Sequence, residues 1–120
     1  MAKPRPELVE HALELFAGLG ELRARPMFGG WGFHCDEQFF ALIADETLYL
    51  KADAASEADF RAAGSVPFTY TYKDGRSVTM AYWSAPEEAM ESPRLMHDWA
   101  RTALAAALRA HPGRPRKSRS

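Results

Sequence analysis

The sequence predicts an α+β fold, a two-layer sandwich in the order helix, three strands, helix, two strands, helix. Two helical apolar stripes, at Glu7–Leu19 and at Pro93–Ala110, bracket a middle rich in alternating and aromatic residues. Connections of two or three residues within that middle force neighbouring strands to run antiparallel. The expected product is a largely antiparallel, five-stranded sheet with the helices packed on it.

Each element has a local reason. Leu8, Val9, Ala12, Leu13, Leu15, Phe16 and Leu19 fall mostly at intervals of three or four, one stripe of a first helix. Pro6 suits its first turn, where a missing N–H costs nothing, and Gly18 and Gly20 stop it. From Arg25 the period changes: Met27, Phe28, Trp31 and Phe33 stand among Gly29, Gly30 and Gly32. Each interior glycine would cost a helix about 1 kcal/mol, so one strand with a bulge or sharp bend is expected here. Asp36-Glu37 and Asp45-Glu46 read as turns around strands at Phe39–Ala44 and Thr47–Lys51. A helix over Asp53–Ala63, capped by Asp53 or Ser56, ends at Gly64. Val66–Tyr72 and Ser77–Trp83 form a hairpin about Asp74-Gly75, and Ser84-Ala85-Pro86-Glu87 has capping-box spacing. Ser92 caps the last helix with Pro93 at its first position, and Leu95, Met96, Trp99, Ala103, Leu104, Ala107 and Leu108 line one side.

Totals narrow the class. A chain of 120 residues, 47% hydrophobic and 26% charged, supports one ordinary core without disulfide or metal staples. A single cysteine, Cys35, and the lack of an apolar run long enough to span a bilayer lead to the expectation of a cytoplasmic protein that does not enter membranes. Residues 111–120 hold four of the 15 basic side chains and no acid, leaving 11 basic against 16 acidic groups, a formal −5, over residues 1–110. One domain over 1–110 and a basic disordered tail over 111–120 are expected. Arg114, Arg116, Lys117 and Arg119 are candidate phosphate contacts, weak and salt-dependent, and without interleaved aromatics to stack bases.

Catalytic readings find little support. His34 and Cys35 are consecutive strand residues, so their side chains should diverge. The four histidines lack metal-ligand spacing, and Glu87, Glu88 and Glu91 suit a helix start better than acid–base work. The glycines at 29, 30 and 32 are flanked by strand patterns, not by the strand and helix of a phosphate loop. Hence no catalytic, metal or cofactor residue is expected, and no enzyme. Trp31, Tyr49, Tyr70, Tyr72, Tyr82 and Trp83 remain as lining for a small-ligand pocket on the sheet.

Arg25-Pro26-Met27-Phe28-Gly29-Gly30-Trp31-Gly32-Phe33 resembles the opening motif of the TfoX/Sxy N-terminal domain family. Phe39 to Ile43, Leu48-Tyr49-Leu50-Lys51-Ala52-Asp53, Phe60 with Ala63-Gly64, Pro67-Phe68, Ala81-Tyr82-Trp83, Pro86-Glu87-Glu88, Leu95 and Trp99 extend the similarity from Leu8 to Ala110. The resemblance implies a stand-alone member of that family, with a two-layer fold similar in layout to secretion-chaperone-like folds. It also implies a link to regulators of natural competence and DNA transformation, a non-enzymatic role, and another regulator as protein partner. The residues it marks for interaction are Arg25, Met27, Phe28, Gly29, Gly30, Trp31, Gly32 and Leu48, Tyr49, Leu50 and Lys51. An exposed edge strand or the apolar final helix makes a second copy, in a homodimer, the other expected partner.

Overall fold

A computed structural model gives the fold and describes residues 6–27 and 29–110. The order is α1 (Glu7–Phe16), β1 (Leu22–Met27), β2 (Gly30–Cys35), β3 (Gln38–Ala44), β4 (Thr47–Lys51), α2 (Glu57–Ala62), β5 (Pro67–Thr71), β6 (Ser77–Ser84), a 3-10 turn (Glu87–Glu91) and α3 (Pro93–Ala110). All neighbours in the single sheet are antiparallel, in the order β1-β2-β3-β4-β6-β5. The α+β class and helix order agree with the sequence reading, but the sheet has six strands where five were expected.

The extra strand comes from the glycine motif. One bent strand was expected there. Instead the chain reverses fully beside Gly29, whose φ of +77° is open to glycine and strained for other residues. Met27 thereby pairs with Gly30, and Leu22 at the far end with Cys35. The polar composition of Leu22–Met27 hid this strand: two of its residues are arginines and one is proline, tolerable because β1 lies at the sheet edge.

Helices cover one face only. Phe16 of α1 meets Phe33 and Phe40 edge-on, with centroids 5.6 and 4.9 Å apart. Val9, Ala12 and Leu15 of α1 and Met96, Ala100, Ala103 and Ala107 of α3 close over Phe33, Ala41, Leu48 and Leu50. Alanines on α3 let its axis come close to the strands. Phe60 of α2 packs against Trp99 at 4.8 Å.

The caps divide. Ser92 Oγ accepts the Leu95 N–H at 3.1 Å, as its spacing predicts. Neither Asp53 nor Ser56 caps α2 with its side chain: Ser56 Oγ accepts the Asp53 N–H, and Asp53 Oδ1 accepts from Ala55. Ser84 likewise caps nothing and accepts the Val66 N–H, tying β5 to the end of β6.

Asp53 has a second task. Arg109, near the end of α3, donates to both its carboxylate oxygens at 2.7 and 3.0 Å. That guanidinium holds the Asp53 carboxyl down at about 2. A depressed acid stabilises the fold above its unfolded value and loses that contribution as pH falls through the folded one. With Arg109 half exposed, solvent screening keeps the pair's contribution small. Asp53→Asn should therefore lower stability slightly at neutral pH, with the deficit against wild type vanishing between about pH 4 and pH 2 in urea titrations.

Both acidic turns are of the primed type, with positive φ at Asp36 (49°), Glu37 (72°), Asp45 (50°) and Glu46 (60°). Glutamate is a poor resident of that region. Glu46→Gly should raise stability by about 0.5–1 kcal/mol, read as a higher urea midpoint at unchanged slope.

Candidate interaction face

Opposite the helices the sheet is bare. Alternation along each strand divides the motif residues between the two faces. Leu48 and Leu50 are buried among the helices, while Tyr49 and Lys51 point outward. Arg25 stands opposite Gly32, and Arg23 opposite His34, on the outer side of the β1–β2 pair. Trp31 packs against the core yet borders the outer groove. Phe28 and the basic residues Arg114, Arg116, Lys117 and Arg119 lie outside the described residues.

Gly30 and Gly32 serve close approach. A Cβ on Gly30 would run into the Ile43 carbonyl of β3, and one on Gly32 would sit 2.7 Å from Met27 Cε and 2.8 Å from Phe39 Cε1. Gly32 therefore lets Met27 and Phe39 close over the sheet.

The outer face carries three groups of touching rings. His34 stacks on Phe39 at 5.1 Å and 29°, and Phe39 leans on Tyr82 at 5.6 Å. Lys51 places its ammonium 5.0 Å from the Tyr82 ring centre. Tyr49 meets Phe68 at 4.9 Å, and Tyr70 meets Tyr72 at 5.0 Å. A groove of about 580 Å³ runs over this face, bordered by Met27, Phe39, Leu42, Phe68, Tyr70 and Met80 among others. Of the six aromatics expected to line a pocket, Trp31, Tyr70, Tyr72 and Tyr82 do so. Tyr49 adjoins the groove through Phe68, whereas Trp83 faces the other way, in the core beneath Arg61.

Phe39, Phe68, Leu42 and Met80 were not expected as groove residues from the sequence. A signal for two of them was present: Phe68, Tyr70 and Tyr72 recur at every second position, as do Val78, Met80 and Tyr82, with small or polar residues between. Such doubling marks a hairpin with one apolar face.

Polar chemistry on the site is sparse. Burial, then the charges of Arg25 and Arg23, lower the His34 pKa. Burial, then Asp36, raises that of Cys35. Cys35 lies in the core and His34 faces out against Phe39, so the two diverge as strand geometry demands. Burial alone pushes the Tyr82 hydroxyl up to about 12. Among the described residues, no three His, Cys, Asp or Glu side chains are grouped to hold a metal ion, and no helix is long and apolar enough to cross a membrane.

Fold and face together define a two-layer antiparallel α+β domain with one helix-free, aromatic side. The chain belongs to the TfoX N-terminal domain family, whose model matches residues 14–107. It is 31% identical over 97 residues to Protein Sxy of Escherichia coli, covering 80% of this chain and 46% of that protein. To the DNA transformation protein TfoX of Haemophilus influenzae it is 28% identical over 78 residues, 64% of this chain and 36% of the relative. The chain thus corresponds to less than half the length of either relative.

The two close glycines should respond differently to a methyl group. At Gly32 the obstructing atoms include the mobile end of Met27, whereas at Gly30 the obstacle is backbone. Gly30→Ala should cost more stability than Gly32→Ala, by at least about 1 kcal/mol in urea unfolding.

Proposed function

We propose that this domain is a non-enzymatic, cytoplasmic regulatory module that works by binding, and that the bare sheet face is its binding surface. The observation that supports this reading is the groove itself. A soluble sheet face is normally polar on its open side, whereas this one exposes Tyr70, Tyr72, Val78 and Met80 and surrounds them with further rings. The relatives, one of them a DNA transformation protein, point the regulatory role toward competence. A protein partner, either another regulator or a second copy, has a separate route of attachment at the edge strands β1 and β5.

Met80 is exposed, so Met80→Glu leaves the core intact while placing a charge in the groove. Deleting the gene and introducing Met80→Glu should shift the same transcripts, with the variant's melting temperature near that of wild type. A wild-type transcript profile in the deletion strain, or substrate turnover by the purified protein, would overturn the proposal.

A second reading rests on the groove's volume, which falls within the range of small-molecule sites. A thermal-shift screen that finds a stabilising small ligand, with the shift lost in Met80→Glu, supports it; no hit removes it.

A further inference from the structure

The acidic side chains are distributed unevenly over the fold. No strand contains aspartate or glutamate; these residues occupy the helices, the turns and the segments that join them. Arg23, Arg25 and Lys51 are consequently the formal charges of the sheet, and all three lie on its outer face. A chain with a −5 body thus gathers these cations on its one helix-free side, with Glu21 3.9 Å from Arg23 and Asp45 at the border of the groove. Arg76 adds a guanidinium 4.7 Å from the Tyr72 ring centre, although Asp74 pairs with it at 2.8 Å.

Rings lie between these cations. Arg23 stands opposite His34, which stacks on Phe39, which touches Tyr82, which carries Lys51. Tyr70 in β5 and Tyr72 just after it form a separate touching pair, 42% and 40% exposed. A second copy placed face to face would oppose cation to cation, so the face is ill suited to self-pairing. Duplex DNA is a poor fit as well. Its bases are already stacked, and the open sheet supplies no element to enter the major groove. A single strand offers what both features match, phosphates for the cations and unstacked bases for the rings.

We propose that the open sheet face binds single-stranded nucleic acid, with Arg23, Arg25 and Lys51 contacting phosphates and Tyr70 and Tyr72 stacking bases. Arg25 on β1 and Lys51 on β4 are three strand spacings apart, about 14 Å, so the bound strand crosses the sheet and touches a few nucleotides. The inference rests on the reading of this face as a binding surface and names its ligand.

The test is fluorescence anisotropy of a labelled oligothymidine of about 15 nucleotides with the full-length protein. To separate the face from the C-terminal basic residues, it is run in wild type and in a background with Arg114, Arg116, Lys117 and Arg119 all changed to Gln. In that background, log affinity should fall against log salt with a slope of about −2, the yield of three single-strand phosphate contacts. Arg25→Glu with Lys51→Glu, and separately Tyr70→Ala with Tyr72→Ala, should each weaken binding at least about tenfold. Arg23→Glu with Arg25→Glu, both exposed, serves as a second reversal should Lys51→Glu perturb folding. Binding that disappears with the C-terminal changes, that ignores the face variants, or that is equally tight for a duplex of the same length overturns the proposal. If no oligonucleotide binds while Met80→Glu still abolishes regulation, the binding surface stands and the nucleic-acid inference fails by itself.

Discussion

One extra residue in β3 governs how the two faces of this sheet are assembled. Phe33 pairs with Ala41 but His34 pairs with Phe39, which leaves Phe40 as the bulged residue. Phe40 and Ala41 are consequently both buried on the helical side, where strict alternation would have expelled one of them. Phe40 then reaches Phe16 of α1, and Phe33 meets the same ring from β2. The bulge also resets the alternation, so that Phe39 falls beside His34 on the outer face. A single irregularity thus supplies an aromatic anchor to the core and another to the groove. Removing a ring as buried as Phe40 would forfeit several kcal/mol, about 3–5 by the usual cost of such truncations.

Much of this was legible in the chain, and the reasons are specific. The α1 stripe, the Asp74-Gly75 hairpin and the Ser92-Pro93 helix start depend on residues within one or two turns of each other, and local chemistry decided them. The edge strand β1 was missed because edge strands are permitted the charges and proline that disqualify an inner strand. The bulge was missed for a different reason. Phe39 and Phe40 are equally apolar, and only pairing with β2 determines which of them counts as extra. Side-chain caps at Asp53 and Ser84 failed because each group found a better partner far along the chain, Arg109 and Val66.

The candidate face was legible as aromatics but not as a surface. Trp83 has the same composition signal as Tyr82 and is its neighbour, yet the two lie on opposite sides of β6. Sequence counts of aromatic residues cannot separate core rings from groove rings until the register is known. Once it is, the motif Leu48-Tyr49-Leu50-Lys51 resolves into two interleaved functions: leucines that hold α3 to the sheet, and a tyrosine and lysine that build the exposed side. The Met-Phe-Gly-Gly element divides in a similar way, with a turn at Gly29 and with Gly30 and Gly32 making room for a carbonyl and for two side chains. Stability and surface chemistry are therefore encoded in the same short segments.

That coupling bears on the binding role proposed for the open face. A sheet packed on one face retains its fold without any contribution from the other, so residues outside the core are free to answer to a ligand. Here those residues form an apolar groove bordered by Asp45, with Arg23, Arg25 and Lys51 elsewhere on the same face. An exposed apolar groove is a standing liability for aggregation unless something opposes self-contact. Arg23, Arg25 and Lys51 provide that opposition, since two such faces repel one another. The same three charges favour an anionic ligand. The absence of acids from the strands is consistent with the ligand class proposed above.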